Sequence, residues 1–399
     1  MELKAGYKKT EVGVIPEEWE IEKLDKISSI VMGQSPVSIN YNKKGIGLPL
    51  VQGNTDIKNR KTIIRNYTSQ ITKKSKLGDI IMSVRAPVGE IATATFDSCI
   101  GRGVCAIKYP NNFLYHYLVF VEPNWSKHST GSTFDSVNSD TIKSLKIPLP
   151  PLPEQKAIAT VLSDTDKLIQ ALEKKIAKKQ LIKKGAMQKL LSPTDPTTGK
   201  IKDGWEVKTL GEIAKYRRGS FPQPYGLPEW YDENNGMPFV QVYDVDKNMR
   251  LKPTTKQKIS ELAKDKSVFV KRGSIILTIQ GSIGRIAVTQ YDAYVDRTLL
   301  IFTDYKISIN VVFFSFIVQE KFRIEKENAP GGIIKTITKE ALSKFKMVFP
   351  KSPQEQTRIA KILSDMDSEI ETLEKKLKKY KQIKQGLMQV LLTGKIRLV

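Results

Sequence analysis

The chain is poor in the residues on which much catalysis and metal binding depends. Its 399 residues hold two cysteines, Cys99 and Cys105, and two histidines, His116 and His128. The cysteines share an apolar stretch with no Cys or His pattern beside them, which points away from zinc and toward two buried thiols in strands. Neither histidine has a Ser, Asp or Cys constellation near it in sequence, so no His-based catalysis and no metal site is expected. No run of about 18 apolar residues exists to cross a bilayer. The opening MELKAGYKK lacks the apolar core of a signal peptide, so a soluble cytoplasmic protein is expected, with no membrane partner. Acidic residues are also scarce: 42 Asp and Glu stand against 65 Lys and Arg, a formal charge of +23. Such an excess attracts polyanions, of which nucleic acid is the commonest.

What the chain does have is a duplication. Residues 154–191 read EQKAIATVLSDTDKLIQALEKKIAKKQLIKKGAMQKLL, and residues 355–392 read EQTRIAKILSDMDSEIETLEKKLKKYKQIKQGLMQVLL, aligned without a gap. Identities include Gln155/Gln356, Asp166/Asp367, Lys183/Lys384 and Gly185/Gly386. The preceding segments correspond more loosely: Trp19 with Trp205, Gly33 with Gly219, Gln52 with Gln241, and GDIIMSVRAPVGEIA (78–92) with GSIILTIQGSIGRIA (273–287). The order is therefore domain, helix, domain, helix. The boundaries are a tail at 1–16, a domain at 17–150, a helix at 151–192, a linker at 193–204, a domain at 205–351, a helix at 352–393 and a tail at 394–399.

Ile359, Leu363, Met366, Ile370, Leu373, Leu377, Tyr380, Leu387 and Leu391 recur at heptad steps, skipping Lys384. Ile158, Leu162, Thr165, Ile169, Leu172, Ile176, Ala186 and Leu190 hold the equivalent places in the first copy. A helix of this length reaches about 57 Å and is unstable alone with one apolar stripe. The economical arrangement pairs the copies antiparallel about a pseudo-twofold axis. The alternative packs each helix on its own domain. Self-association of the isolated chain stays open. Prolines 148, 150, 151, 153, 350 and 353 mark the junctions, as residues that cannot continue a strand ladder or a helix. The lysines at 174, 175, 178, 179, 375, 376, 378 and 379 read mainly as a solvated face, with DNA phosphate or a partner subunit as the alternative contact for a share of them.

Each domain mixes short strand-like runs (79–84, 91–95, 104–108, 274–279, 285–289, 299–303) with helical ones (112–121, 309–325), giving an α+β fold with a curved, mainly antiparallel or mixed sheet. Arg can fork onto guanine, and Gln or Asn onto adenine, in a major groove. Such residues occur at matched places: Gln34 and Ser35 after Gly33; Arg217 and Arg218 before Gly219, with Ser220 and Gln223 after it; Arg85 and Arg102 where the second copy has Gln280 and Arg297. Unlike chemistry on a shared scaffold would read unlike half-sites. For any one of them the alternative is a surface polar residue or a phosphate contact, and 85–89 also reads as a tight turn.

The segments PLPPLPEQKAIA (148–159) with LSDTD (162–166), their second copy PQEQ (353–356) with LSDMD (363–367), GDIIMSVRAPVG (78–89) and GVIPEEW (13–19) resemble the specificity subunit of type I restriction–modification enzymes across the whole chain. The second copy departs from the pattern in having QGSIG (280–284) where the first has RAPVG. The resemblance implies two target-recognition domains, each reading half of a bipartite asymmetric site in double-stranded DNA, with the two helices fixing the gap between the halves. It implies methyltransferase subunits that use S-adenosylmethionine, and ATP-driven restriction subunits, as partners, with no catalysis and no cofactor in this chain. No NPPY-like methylation motif and no Gly-rich loop ending in Lys-Ser/Thr is present, and 195–201 reads as a linker. A stand-alone nuclease or methyltransferase, or a protein-binding scaffold, remain the other readings.

Overall fold

The computed structural model describes residues 5–127, 137–246, 248–328 and 339–398. It divides into two units, Met1–Lys174 with Lys375–Val399, and Lys175–Glu374. The division cuts through both long helices, Leu152–Leu191 and Pro353–Leu391. No helix of the described residues is long and apolar enough to cross a membrane.

In the first unit the strand Ile80–Ser83 is buried along its whole length. Strand side chains alternate between faces. Ile80 and Met82 enter one core with Phe113, Leu114 and Leu118, while Ile81 enters another with Val51, Ile100 and Ala106. The strand therefore lies between two apolar layers and reads as an unbroken apolar run. It pairs antiparallel with Ile91–Thr93 and with Val104–Lys108, which continues to Ser29–Met32. A second sheet pairs Ser98–Ile100 parallel to Leu48–Val51. Cys99 and Cys105 are buried, free thiols in strands, and burial pushes Cys105 up to about 12.

The second unit repeats the plan. Ile275 and Leu277 face the core holding Phe313 and Phe314, and Ile276 faces the opposite one with Val240 and Val295. Leu299–Tyr305 lies between Ile275–Thr278 and Ala214–Arg218, all antiparallel. Here too a second sheet carries a parallel pair, Met237–Val240 with Ala293–Val295. The single sheet expected per domain is thus, among the described residues, two larger sheets beside a two-stranded ladder, Glu20–Lys23 with Lys146–Leu149 or Trp205–Thr209 with Lys346–Pro350. The second one escapes a sequence reading because its strands are two to four residues long, too short for a period to register.

The prolines also need correction. Pro148 sits within the paired strand Lys146–Leu149, opposite Ile21. Pro153 and Pro353 lie inside the long helices, in the first turn. There the missing N–H would have no partner in any case, and the fixed φ suits the helix. An edge strand likewise tolerates the lost donor.

The repeated Glu-Gln that opens each helix is a joint. Gln155 Nε2 donates to the Pro150 carbonyl at 2.9 Å, and Gln356 Nε2 to the Pro350 carbonyl at 2.8 Å. Their other amide atoms reach into the domains: Tyr109 donates to Gln155 Oε1 at 2.8 Å, and the Asn310 N–H donates to Gln356 Oε1 at 2.9 Å. Replacing Gln356 with alanine strands a buried carbonyl and an N–H, so unfolding should become easier by about 1–3 kcal/mol. A lowered urea midpoint would register this, and an unchanged midpoint would refute it.

The helices do not choose between each other and their domains. In the first unit Ile158 and Leu162 share one core with Trp19, Phe113, Met388, Leu391 and Leu392. In the second, Ile359 and Leu363 share one with Leu191, Phe313, Phe349 and Met347. The start of one helix and the end of the other are thus sealed into a single domain core. Within the first unit Asp166 meets Lys384 at 2.6 Å and Glu173 meets Lys381 at 2.6 Å. Within the second, Lys183 meets Asp367 at 2.5 Å and Lys179 meets Glu369 at 2.8 Å. As one number rises the other falls, so the helices run antiparallel in both units.

Candidate nucleic-acid interface

Two glycines begin the candidate site. A Cβ on Gly33 would lie 2.1 Å from the Gly101 carbonyl oxygen, and one on Gly219 2.1 Å from that of Val295. The Gly33 N–H donates to Val104 at 3.0 Å, and that of Gly219 to Leu299 at 3.1 Å. Only glycine lets the chain pass this close. The next segment is tied in the same way twice: the Gln34 N–H donates to the Ile100 carbonyl, and the Ser220 N–H to that of Val295.

The second shared device is a hydroxyl-tied turn. Ser83 Oγ donates to the Pro87 carbonyl at 2.7 Å and accepts from the Glu90 N–H at 2.9 Å. Thr278 Oγ1 donates to the Ser282 carbonyl at 2.5 Å and accepts from the Arg285 N–H at 3.0 Å. Each turn ends in a positive-φ glycine, Gly89 at +90° and Gly284 at +84°. A Cβ there would meet Trp125 at 2.6 Å or Phe322 at 2.7 Å. These turns hold Arg85 and Gln280 out as exposed side chains. Each turn is also stitched to the strand connection beside it, through the Val84 N–H to Gly103 and the Ile279 N–H to Thr298.

In the first domain Ser35, Arg85 and Arg102 come together around a cleft of about 250 Å³, with Gln52 and Asn54. Ser35 Oγ accepts from the Arg102 N–H at 3.1 Å, so Ser35 also builds the wall. Gln34 is exposed beside it. In the second domain Arg297 is exposed and lies over the Tyr225 ring, 5.7 Å from its centroid. The Ser220 hydroxyl is spent on the Lys266 carbonyl at 2.8 Å, and Gln223 is exposed. Arg217 and Arg218 are consecutive exposed residues of one strand, so their side chains leave it on opposite faces.

The sequence reading matched Gln52 to Gln241 without placing either in a site. Gln52 Nε2 donates to Tyr41 Oη at 2.8 Å, and Gln241 Nε2 to Tyr225 Oη at 2.5 Å. Tyr243 donates to Gln241 Oε1. Burial first, then the charge of Asp296, pushes Tyr225 up to about 12, and burial with Asp244 does the same to Tyr243. Both phenols therefore keep their protons as donors. The tyrosines were not legible because Tyr41 and Tyr225 do not share the spacing of the surrounding matches.

The histidine expectation is partly overturned. His116 Nε2 lies 3.0 Å from Ser163 Oγ, and Nδ1 lies 4.0 Å from Asp166. Two packed helices bring together residues that are far apart in sequence. The ring is 1% exposed, and burial, then Lys384, pushes it down to about 3. It stays neutral and enclosed. His128 lies outside the described residues. Among the described residues no three His, Cys, Asp or Glu side chains gather as metal ligands. The linker at 195–201 is an Asx turn: Asp195 Oδ1 accepts from the Thr197 and Thr198 N–H groups at 2.7 and 3.1 Å.

On the helices, Ile158, Leu162, Ile169, Leu172 and Ile176 are buried, as are Ile359, Leu363 and Ile370, whereas Leu373 and Leu377 are half-buried. The seam position skipped by the apolar pattern is Lys384, and its repeat partner is Lys183. Each pairs with an aspartate of the opposite helix.

A family model described as "Type I restriction modification DNA specificity domain" matches residues 16–183 and again 202–385. This chain belongs to that family. The MjaX type I restriction enzyme specificity subunit of Methanocaldococcus jannaschii is 41% identical over 204 residues, 49% of this chain and 47% of that protein. The MjaIX specificity subunit of the same organism is 31% identical over 267 residues, 59% of this chain and 60% of that protein. The chain thus spans about half to three-fifths of the length of these two relatives. A third, the MjaVIII specificity subunit, is 25% identical and aligns over 96% of this chain and 94% of its own length. Among solved structures, the type I restriction–modification S subunit from M. genitalium matches with a TM-score of 0.64 at 17% identity, covering 98% of each chain. At that identity the likeness establishes the fold: two domains and two long helices in one chain.

Proposed function

We propose that the chain reads a bipartite, asymmetric site in double-stranded DNA, one half by each recognition domain (17–150 and 205–351), while the helix pair sets the gap. One observation carries this reading. Two turns with the same hydroxyl tie and the same closing glycine present unlike side chains, Arg85 and Gln280, and guanidinium and carboxamide read different bases. The charge of +23 supplies the phosphate attraction that would make affinity fall steeply with salt. Family membership supports the rest: the chain recruits methyltransferase and restriction subunits, and methylation and ATP-driven cleavage belong to those partners, in the cytoplasm.

The test is selection from a random duplex library by the full chain, alone and with methyltransferase subunits. Two short motifs at a fixed spacing are expected. Arg85→Ala should weaken preference in one motif by about tenfold or more, and Gln280→Ala only in the other. A single contiguous motif, or none, would overturn the proposal.

A further inference from the structure

Gly101 and Asp296 hold the same place in the two domains. The Gly101 N–H donates to the Val51 carbonyl at 2.8 Å, and the Asp296 N–H to that of Val240 at 3.0 Å. The carbonyl of each accepts from the residue three further on, Val104 at 3.1 Å or Leu299 at 3.0 Å. An exposed arginine follows each, Arg102 and Arg297. A Cβ on Gly101 would lie 3.1 Å from Gln52 Cγ and 3.3 Å from Ser35 Oγ. A side chain at this position therefore enters the recognition cleft. The first domain leaves the place bare, and the second fills it with a carboxylate.

That carboxylate is only half used. Asp296 is 2% exposed. Oδ1 accepts from the Thr298 N–H at 3.0 Å and its hydroxyl at 2.5 Å. Among the described residues Oδ2 accepts nothing. The charge of Asp296 is felt at Tyr225, Tyr231 and Tyr243, which sets it beside the Gln241–tyrosine array rather than in the opposite core. Buried acceptors are almost always satisfied, so an idle one at the place that in the first domain borders Gln52 and Ser35 is a place for an incoming donor.

We propose that Asp296 is a base-discriminating residue of the second domain, with Oδ2 accepting from the exocyclic amine of a base, N4 of cytosine or N6 of adenine. Reaching the buried Oδ2 requires a neighbouring side chain to move aside, and Tyr225, which senses the charge of Asp296, is 44% exposed. An ionised carboxylate has acceptors only, so it rejects the O6 of guanine and the O4 of thymine. Arg297, one residue on, holds the adjoining phosphate or base. This rests on the reading in which the second domain contacts DNA.

The experiment repeats the random-duplex selection with the full chain as wild type, Asp296→Asn and Asp296→Ala. Arg85→Ala identifies which motif belongs to the first domain. In the wild type, the second-domain motif should contain one position fixed as cytosine or as adenine, and the selection itself tells which. Asp296→Asn keeps the Oδ1 cap on Thr298 and should relax that position by about tenfold, admitting guanine or thymine. Asp296→Ala should leave it degenerate, with the first-domain motif intact in both variants. That intact motif shows that the chains remain folded and bound. Unchanged motifs in both variants, or a uniform loss of affinity without a change of preference, would overturn the role of Asp296 while the bipartite reading stands. A wild type that selects no bipartite site removes the reading and this inference together.

Discussion

Seven residues inserted into both long helices at matched places, between Lys174 and Lys175 and between Lys375 and Lys376, should lengthen the preferred gap by about three base pairs. The arithmetic is that of the helix: seven residues add about 10 Å, and a base pair rises about 3.4 Å. The matched insertion is tolerated because it leaves every cross-helix pair on its own side. Asp166–Lys384 and Glu173–Lys381 stay within the first unit, and Lys183–Asp367 and Lys179–Glu369 within the second. A heptad also preserves the phase of the apolar seam. An insertion in one helix alone forces one unit to release its pairing. The loss then includes a half-buried ion pair and the burial of residues such as Ile359 and Leu363, so affinity for the original site should fall by at least about a hundredfold. Selected motifs whose spacing is the same before and after matched insertion would refute the role of the helices in setting the gap.

Reversing one aspartate should be nearly as damaging. Asp367→Lys sets a second ammonium against Lys183, whose side chain is 14% exposed, with the aspartate at 24%. Full burial would put the cost of an orphaned charge at about 3–5 kcal/mol; partial exposure brings it nearer 2–3 kcal/mol. For a unit of roughly 200 residues that corresponds to a fall in Tm of about 4–12 °C. Adding Lys183→Asp in the same chain should recover most of the loss. The mirror pair, Asp166→Lys with Lys384→Asp, should behave alike in the first unit. Combining Asp166→Lys with Lys183→Asp, both on one helix, should not recover stability, because these two residues belong to different pairs. Recovery in that combination, or a single reversal that melts with the wild type, would contradict the pairing.

The duplication was open to a reading of the chain because it is written in local order. Heptad steps announce an amphipathic helix, and the repeated Gly33/Gly219 and Gly89/Gly284 announce backbone that must pass closely or turn with positive φ. Three strands of each core sheet were found within a residue or two, since a strand such as Ile80–Ser83, buried on both faces, is an unbroken apolar run, whereas Ser29–Met32 and Ala214–Arg218 were not found. The second sheet of each domain was not found. Nor could the polar step at Lys384 be understood as more than a gap in the pattern, since its partner Asp166 stands 218 residues away.

The candidate site divides along the same line. Residue type and matched position were enough to bring out Ser35, Arg85 and Arg102, which the fold gathers around one cleft. They were not enough to separate Arg217 from Arg218, to see that the Ser220 hydroxyl is already occupied by Lys266, or to raise Gln52, Gln241 and Asp296 above other polar residues.

The sequence by itself determined the twofold plan, the two amphipathic helices and the basic composition, because periodicity, glycine placement and charge are properties of neighbours along the chain and of composition. Tertiary structure alone decided that each domain core is closed by one helix's start and the other's end, that the lysine–aspartate pairs join opposite helices, and that one buried carboxylate oxygen of Asp296 accepts no hydrogen bond among the described residues. Those facts depend on side chains brought together across long stretches of sequence, where burial and hydrogen bonding, rather than local pattern, choose the partners.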